Sequence, residues 1–187
     1  MFIRVMLIGL FSFVASLSPA IASDVEDDQA TVKEFLRSDV AKKFHDSAYG
    51  YAVFPTIGKG GVGIGGAHGS GGVYRGGKKI GDTKMTQVTV GFQLGGQAYS
   101  QIIYFEDKRA LDDFTSGNFE FSAQANAIAV TSSAGATAGS EGASASANAT
   151  QAETDYHKGM VVLTMGKGGL MYEASLGGQK YSYTPVK

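Results

Sequence analysis

Hydrophobic residues recur at every fourth position within residues 24–47, at Val32, Leu36, Val40 and Phe44. This spacing places them on one face of an α-helix, and Phe35 widens that face. Acidic residues lie near the start of this stretch, and Lys42 and Lys43 lie near its end, which suits the helix dipole. The pattern predicts one amphipathic helix, or two short helices that break near Ser38 and Asp39.

Short apolar runs separated by glycine replace this pattern in the next part of the chain, most densely between Gly58 and Gly66. Glycine among β-branched and aromatic residues is typical of strongly bent strands whose backbones lie close together. The Gly76-Gly77 pair predicts a hairpin turn. Alternation of apolar and polar residues between positions 86 and 105 predicts two further strands.

A short helix is predicted at residues 106–115, where Ala110, Leu111 and Phe114 share one face. Residues 119–154 are rich in alanine, serine, threonine and glycine. Their first part alternates like a strand of small residues, and the stretch at about 131–150 is low in complexity. Apolar runs at 160–164 and 170–174, with tyrosines near the end of the chain, predict two or three more strands.

These elements predict an α+β fold. Its core is a mainly antiparallel, strongly bent, glycine-rich β-sheet, barrel-like or a sandwich, with an N-terminal amphipathic helix and a short central helix. Residues 1–22 have the parts of a cleaved signal peptide, namely Arg4, an apolar run and small residues at Ala20 and Ala22. We therefore expect one domain at residues 23–187 in a periplasmic or secreted protein. An uncleaved anchor is the alternative, although a span needs about 20 apolar residues.

The chain contains 16 basic and 17 acidic side chains and no cysteine among its 187 residues. Nucleic-acid-binding proteins normally show a basic balance or a basic stripe with aromatic residues, so nucleic acid is not an expected partner. The lack of cysteine excludes disulfides, thiolate metal sites and cysteine nucleophiles. Burial and hydrogen bonding must therefore stabilise the domain.

Three sequence patterns suggest a nucleotide-binding, metal-binding or catalytic site, but none meets the requirements of such a site. The G-x-G-x-x-G pattern within residues 58–66 is followed by more glycine and a strand, whereas a dinucleotide-binding loop opens a helix. The three histidines lack the spacing of metal ligands. Ser70 lies two residues from His68 but outside a nucleophile elbow, so a hydrolase is only the third hypothesis. We expect no cofactor, no metal and no enzymatic activity.

The sequence Gly-Lys-Gly-Gly occurs at residues 58–61 and again at 166–169, and a Gly-Gly turn follows each copy. This repetition suggests two hairpin-like units with a lysine at the same place in each. Packed together, the units would bring five cations to one rim beside glycine amides, where a phosphate headgroup could bind: Lys59, Arg75, Lys78, Lys79 and Lys167. A solvated set of turn lysines is the alternative interpretation.

The string at residues 49–61, with the glycines up to Tyr74, closely resembles the opening signature of the SYLF family. Residues 91–98 resemble its glycine–glutamine block, and residues 166–178 its C-terminal block. The resemblance covers about residues 30–183 and implies a compact fold of bent antiparallel strands with helices. It departs at residues 131–150, which lack the proline and arginine of the family's corresponding segment.

The resemblance also implies a function, because eukaryotic members bind phosphoinositides and yeast relatives bind and bundle actin filaments. The main hypothesis is an exported, non-enzymatic module that binds phospholipid headgroups, with an anionic membrane surface as its partner. The alternative is a scaffold or actin-like filament-binding protein, with a filament or an envelope protein as its partner. Cations of the N-terminal helix are a second candidate lipid contact, although nearby acids oppose it: Lys33, Arg37, Lys42 and Lys43.

Overall fold

The computed structural model describes residues 24–91, 96–121, 128–129, 155–167 and 177–187. Seven strands form one curled half-barrel sheet, to which a few helices are added, and this confirms the predicted α+β class. Three predicted features lie outside the described residues, namely the signal peptide at 1–22, the segment at about 131–150 and the strand at 170–174.

The helices are α1 (Val25–Phe35), α2 (Asp39–Ser47) and α3 (Lys108–Thr115). Aspartate side chains cap the N-termini of α1 and α3. Asp24 accepts a hydrogen bond from the Glu26 N–H at 2.9 Å, and Asp107 accepts one from the Ala110 N–H at 2.8 Å. The break between α1 and α2 shows that the second alternative, two short helices, is correct, and α3 confirms the central helix. Within the described ranges no helix is long and apolar enough to cross a membrane.

The strands are β1 (Gly50–Arg75), β2 (Lys78–Gly91), β3 (Gln97–Phe105), β4 (Phe119–Glu120), β5 (Ile128–Ala129), β6 (Met160–Lys167) and β7 (Lys180–Pro185). Their order across the sheet is β4-β7-β2-β1-β3-β6-β5. Adjacent strands in this order pair in antiparallel fashion except β5 and β6, which are parallel. The mainly antiparallel arrangement expected from the sequence is therefore present.

The long strand β1 reverses direction within itself. A fully extended chain from residue 50 to residue 74 would span about 80 Å, yet a Cβ on Gly50 would lie 2.7 Å from the Tyr74 carbonyl oxygen. The reversal lies near Gly61, whose φ of +153° favours glycine and whose added Cβ would lie 2.2 Å from the Gly65 Cα. The sequence predicted several short strands here, whereas glycine allows one strand to fold back.

Side chains of the sheet alternate between two apolar layers. The inner face carries Phe54, Ile103 and Val162 and is covered by α3. The outer face carries residues such as Val53 and Leu163 and is covered by α1 and α2. Since both faces are covered at β3, this strand is buried along nearly its whole length.

Candidate functional site

The lysines of the two Gly-Lys-Gly-Gly blocks lie on the strands that flank β3. Lys59 pairs with Gln97 of β3, and Lys167 pairs with the next residue, Ala98. Neighbouring strands are about 4.8 Å apart, so these two strands, with β3 between them, lie about 10 Å from each other. The two lysines differ by one register position, and strand alternation therefore places them on opposite faces. The repetition in the sequence thus brings these lysines near each other without giving them a shared surface.

Lys167 lies beside α1 on the outer face. Its Nζ donates to the Thr56 Oγ1 at 2.9 Å. The groove next to it is also lined by Asp27 and Glu34 of α1. Because these carboxylates repel a phosphate, the surroundings of Lys167 disfavour an anionic headgroup.

Arg75 and Lys78 face each other across the turn between β1 and β2. They are directly paired in the register, and the two turn glycines have φ values of +55° and +75°. Like charges directly opposite each other destabilise a strand pair. Lys108 lies nearby: Asp112 raises the pKa of the Lys108 ammonium, and Arg75 opposes that shift. This end of the sheet therefore concentrates positive charge.

Lys79 is engaged in an ion pair. Its Nζ lies 2.8 Å from the Asp82 Oδ1, and its side chain is only 13% exposed. A lysine that is paired with a carboxylate and largely buried is poorly accessible to a headgroup phosphate. Lys79 therefore fits a structural role better than the predicted lipid contact.

The five cations predicted from the sequence do not meet on one rim. The Arg75–Lys78 turn lies beside Gly50, at the start of β1. Lys59 lies nine positions after Gly50, roughly 30 Å further along the strand. The structure therefore separates a turn end, with Arg75 and Lys78, from a glycine-rich end, with Lys59 and Lys167. A lipid-binding role for any of the five stays a prediction.

A different surface, missed by sequence reasoning, gathers charged and apolar residues. Over the second half of β1, β2 and β7, the side chains that alternate onto the outer face are exposed or partly exposed. We call this surface the open face and define it by nine residues: Ile64, Gly66, His68, Ser70, Lys84, Thr86, Val88, Lys180 and Ser182. Lys84 and Lys180 give this surface positive charge, while Asp82 of β2 and Glu120 of β4 alternate onto the same face beside them.

The large apolar residues of the open face lie at its glycine-rich end. Ile64 is 72% exposed and Val88 is 76% exposed. The sequence interpretation placed Val88 in a regular alternating strand without marking it as exposed. Alternation identifies residues on one face, but only the positions of α1 and α2 show which part of that face stays uncovered.

Buried polar groups fix β7 inside the half-barrel. Gln101 Nε2 donates to the Tyr181 hydroxyl at 2.7 Å, and Gln179 Nε2 donates to the Tyr99 hydroxyl at 3.3 Å. Burial raises the pKa of Tyr99 to about 12, and burial also raises that of Tyr181. These phenols stay protonated at neutral pH, and their hydrogen bonds with Gln101 and Gln179 hold the strands together.

Ser70 and the histidines, which were considered for catalysis or metal binding, do not form a catalytic or metal-binding arrangement within the described ranges. Ser70 pairs with Lys84, and His68 pairs with Thr86, along the open face. Within the described ranges no hydrogen bond is found between Ser70 and His68. No group of three or more potential metal ligands occurs in that part of the chain.

Comparisons with known proteins agree with the motifs found in the sequence. Residues 86–184, a little over half of the chain, match the family described as "Ysc84: Las17-binding protein actin regulator". Beta cell expansion factor A of Aeromonas veronii is 33% identical over 162 residues. The alignment covers 86% of this chain and 56% of that relative, so the chain spans little more than half of the relative's length.

The match begins within β2 and ends within β7, so it includes four of the nine open-face residues: Thr86, Val88, Lys180 and Ser182. The family is a family of binding domains associated with lipid and actin binding. The blocks of glycine, the curled sheet and the family match lead to the same result: the chain belongs to the Ysc84 family, whose domain is called SYLF.

Proposed function

We propose that this protein is an exported, non-enzymatic module that binds anionic phospholipid headgroups at a membrane surface. The observation that carries the proposal is the open face, a sheet surface on which Lys84 and Lys180 lie among hydroxyl side chains. Lys84 lies between Ser70 and Ser182 in the register, so its ammonium is accompanied by two hydroxyl groups that can donate to phosphate oxygens.

The charge of Lys180 is available despite a nearby acid. Its Nζ lies 3.5 Å from the Glu120 Oε2, but both side chains are largely exposed. Exposed ion pairs of this kind contribute about 0–1 kcal/mol, so a phosphate can compete for the lysine.

Removing Lys84 and Lys180 should weaken membrane binding. Each lysine near an anionic surface contributes about 1 kcal/mol, so Lys84→Ser with Lys180→Ser should weaken binding roughly 30-fold. The measurement is co-sedimentation with phosphatidylserine-containing vesicles at physiological salt, where charges are screened beyond about 8 Å. The matched control is Arg75→Ser with Lys78→Ser, which removes two cations from the turn end.

The control variant should bind within about two-fold of the wild-type protein, since the turn end lies more than a screening length from the open face. If the control loses binding and the open-face variant keeps it, the headgroup site is the turn predicted from the sequence. If the folded wild-type protein fails to bind anionic vesicles at low salt, the proposed function is wrong.

A second candidate function is binding to an acidic protein filament, and the turn end favours it. Arg75 and Lys78 repel each other, with Lys108 nearby, and an acidic partner would relieve this repulsion. The family description names an actin regulator. Arg75→Ser with Lys78→Ser should therefore lower co-pelleting with actin filaments at least five-fold, about 1 kcal/mol. Wild-type protein that stays in the supernatant would retire this candidate.

A further inference from the structure

Two of the most exposed large apolar side chains lie next to each other on the open face. Val88 of β2 pairs with Gly66 of β1, and Ile64 lies two positions from Gly66 on the same face. Ile64 and Val88 are therefore diagonal neighbours, and Gly66 places no side chain between them. We call this pair the apolar corner.

The apolar corner differs from the other exposed apolar residues of the described chain. Val25, Tyr49 and Val186 are between 36% and 49% exposed and lie singly at or near the ends of elements. Single exposed apolar residues are normal on protein surfaces. The two adjacent β-branched side chains of the apolar corner stay exposed to solvent in the folded protein. Burying them against a partner would therefore be favourable.

The backbone beneath the apolar corner is compact. A Cβ on Gly61 would lie 2.2 Å from the Gly65 Cα and 2.5 Å from the Ile64 carbonyl oxygen. The two halves of β1 are thus pressed together directly behind Ile64. This compact backbone restricts the motion of the strand that carries Ile64. The entropic cost of burying Ile64 against a partner is therefore lower.

The polar and charged side chains of the open face lie along the strands from the apolar corner, at a distance comparable with the thickness of the bilayer interface. His68 is four positions from Ile64, and Lys84 is four positions from Val88, about 13 Å along their strands. A bilayer has about 5–7 Å of interfacial region outside each side of its hydrocarbon core. With the strands inclined to the membrane, the apolar corner reaches the acyl chains while Lys84 stays near the phosphates.

We infer that the apolar corner inserts into one leaflet of an anionic phospholipid bilayer and that the lysines of the open face contact the headgroups above it. This inference rests on the proposed function and adds the inserted residues and the orientation. Charge complementarity favours an anionic bilayer as the partner, because Lys84 is the nearest charged side chain to the apolar corner along β2 and Asp82 lies beyond it, further from the corner.

Fluorescence tests the insertion directly, because the chain contains no tryptophan. Ile64→Trp places a single fluorophore at the apolar corner. Val186→Trp is the matched control, since Val186 is 48% exposed and bonds through its N–H to the Ile80 carbonyl near the turn end. With phosphatidylserine-containing vesicles, the indole emission of the Ile64→Trp protein should shift to the blue and be quenched by acyl-chain-brominated lipid. The emission of the Val186→Trp protein should not change.

A charge at the apolar corner should weaken binding more than the same charge beside it. Val88→Asp should lower co-sedimentation at least ten-fold, because a buried apolar contact is lost and a carboxylate meets the acyl chains. Thr86→Asp adds the same charge on the same exposed face of β2 and should have a smaller effect. Both residues are exposed, so unchanged urea midpoints verify that the variants stay folded.

The outcomes separate the two proposals. If Ile64→Trp protein co-sediments with vesicles but shows neither shift nor quenching, insertion is wrong and the proposed function stands. If neither this variant nor the wild-type protein co-sediments, both are wrong. If the emission of the Ile64→Trp protein shifts with rising protein concentration and without lipid, the apolar corner binds a second copy and the inference is overturned.

Discussion

Replacing Gly71 with alanine is expected to destabilise the protein by about 3 kcal/mol or more. A Cβ at this position would lie 2.0 Å from the Val53 carbonyl oxygen and 2.9 Å from the Phe54 Cδ1. The first contact is with backbone, which cannot rotate away, so the two halves of β1 must separate. Urea unfolding followed by far-ultraviolet circular dichroism measures the loss, and the free energy of unfolding should fall accordingly.

Gly58→Ala is the matched control within the same strand. No atom lies within 4 Å of a Cβ built on Gly58, so alanine fits there. It should change stability by less than about 1 kcal/mol, with a gain expected because alanine restricts the unfolded chain. Equal effects of the two substitutions would contradict the reversal of β1 on itself.

Two Tyr→Phe substitutions in the outer layer are expected to act in opposite directions. The buried Tyr74 hydroxyl donates to the Asp28 Oδ2 of α1 at 2.7 Å, and Asp28 is fully buried. Tyr74→Phe removes this donor and should cost about 2 kcal/mol, since hydrogen bonds to charged groups contribute about 1.5–3 kcal/mol. The Tyr104 hydroxyl is also buried but has no hydrogen-bond partner within the described ranges.

Tyr104→Phe relieves an unpaired polar group, so it should leave stability unchanged or raise it by about 1 kcal/mol. Thermal and urea unfolding of both variants measure the contrast. Near-ultraviolet circular dichroism verifies that the aromatic layer stays packed. A loss of similar size in both variants would mean that the Asp28 contact does not hold α1 on the sheet.

Much of the fold follows from local sequence. Period-four apolar residues predicted α1 and α2, with the break near Ser38, and the Gly76-Gly77 pair predicted the turn between β1 and β2. Glycine density predicted strong bending and close backbone approach, as found at Gly71. These features depend on neighbouring residues alone, which is why one sequence suffices to predict them.

The candidate site depends on what packs over each face, and this is not local. The five predicted cations were grouped because their sequence blocks look alike. A single register step then places Lys59 and Lys167 on opposite faces, and an ion pair occupies Lys79. The exposure of Val88 arises because α1 and α2 cover other strands, and alternation cannot distinguish a covered face from an open one.

Hydroxyl-radical footprinting of the wild-type protein, with and without phosphatidylserine-containing vesicles, tests membrane binding through the open face most directly. It needs no substitution and reports each side chain separately. We predict that Ile64, His68 and Val88 become protected when vesicles are added, while Val25 and Val186 keep their oxidation rates. Protection confined to the helices or the turn end, or no protection in vesicle-bound protein, would contradict it.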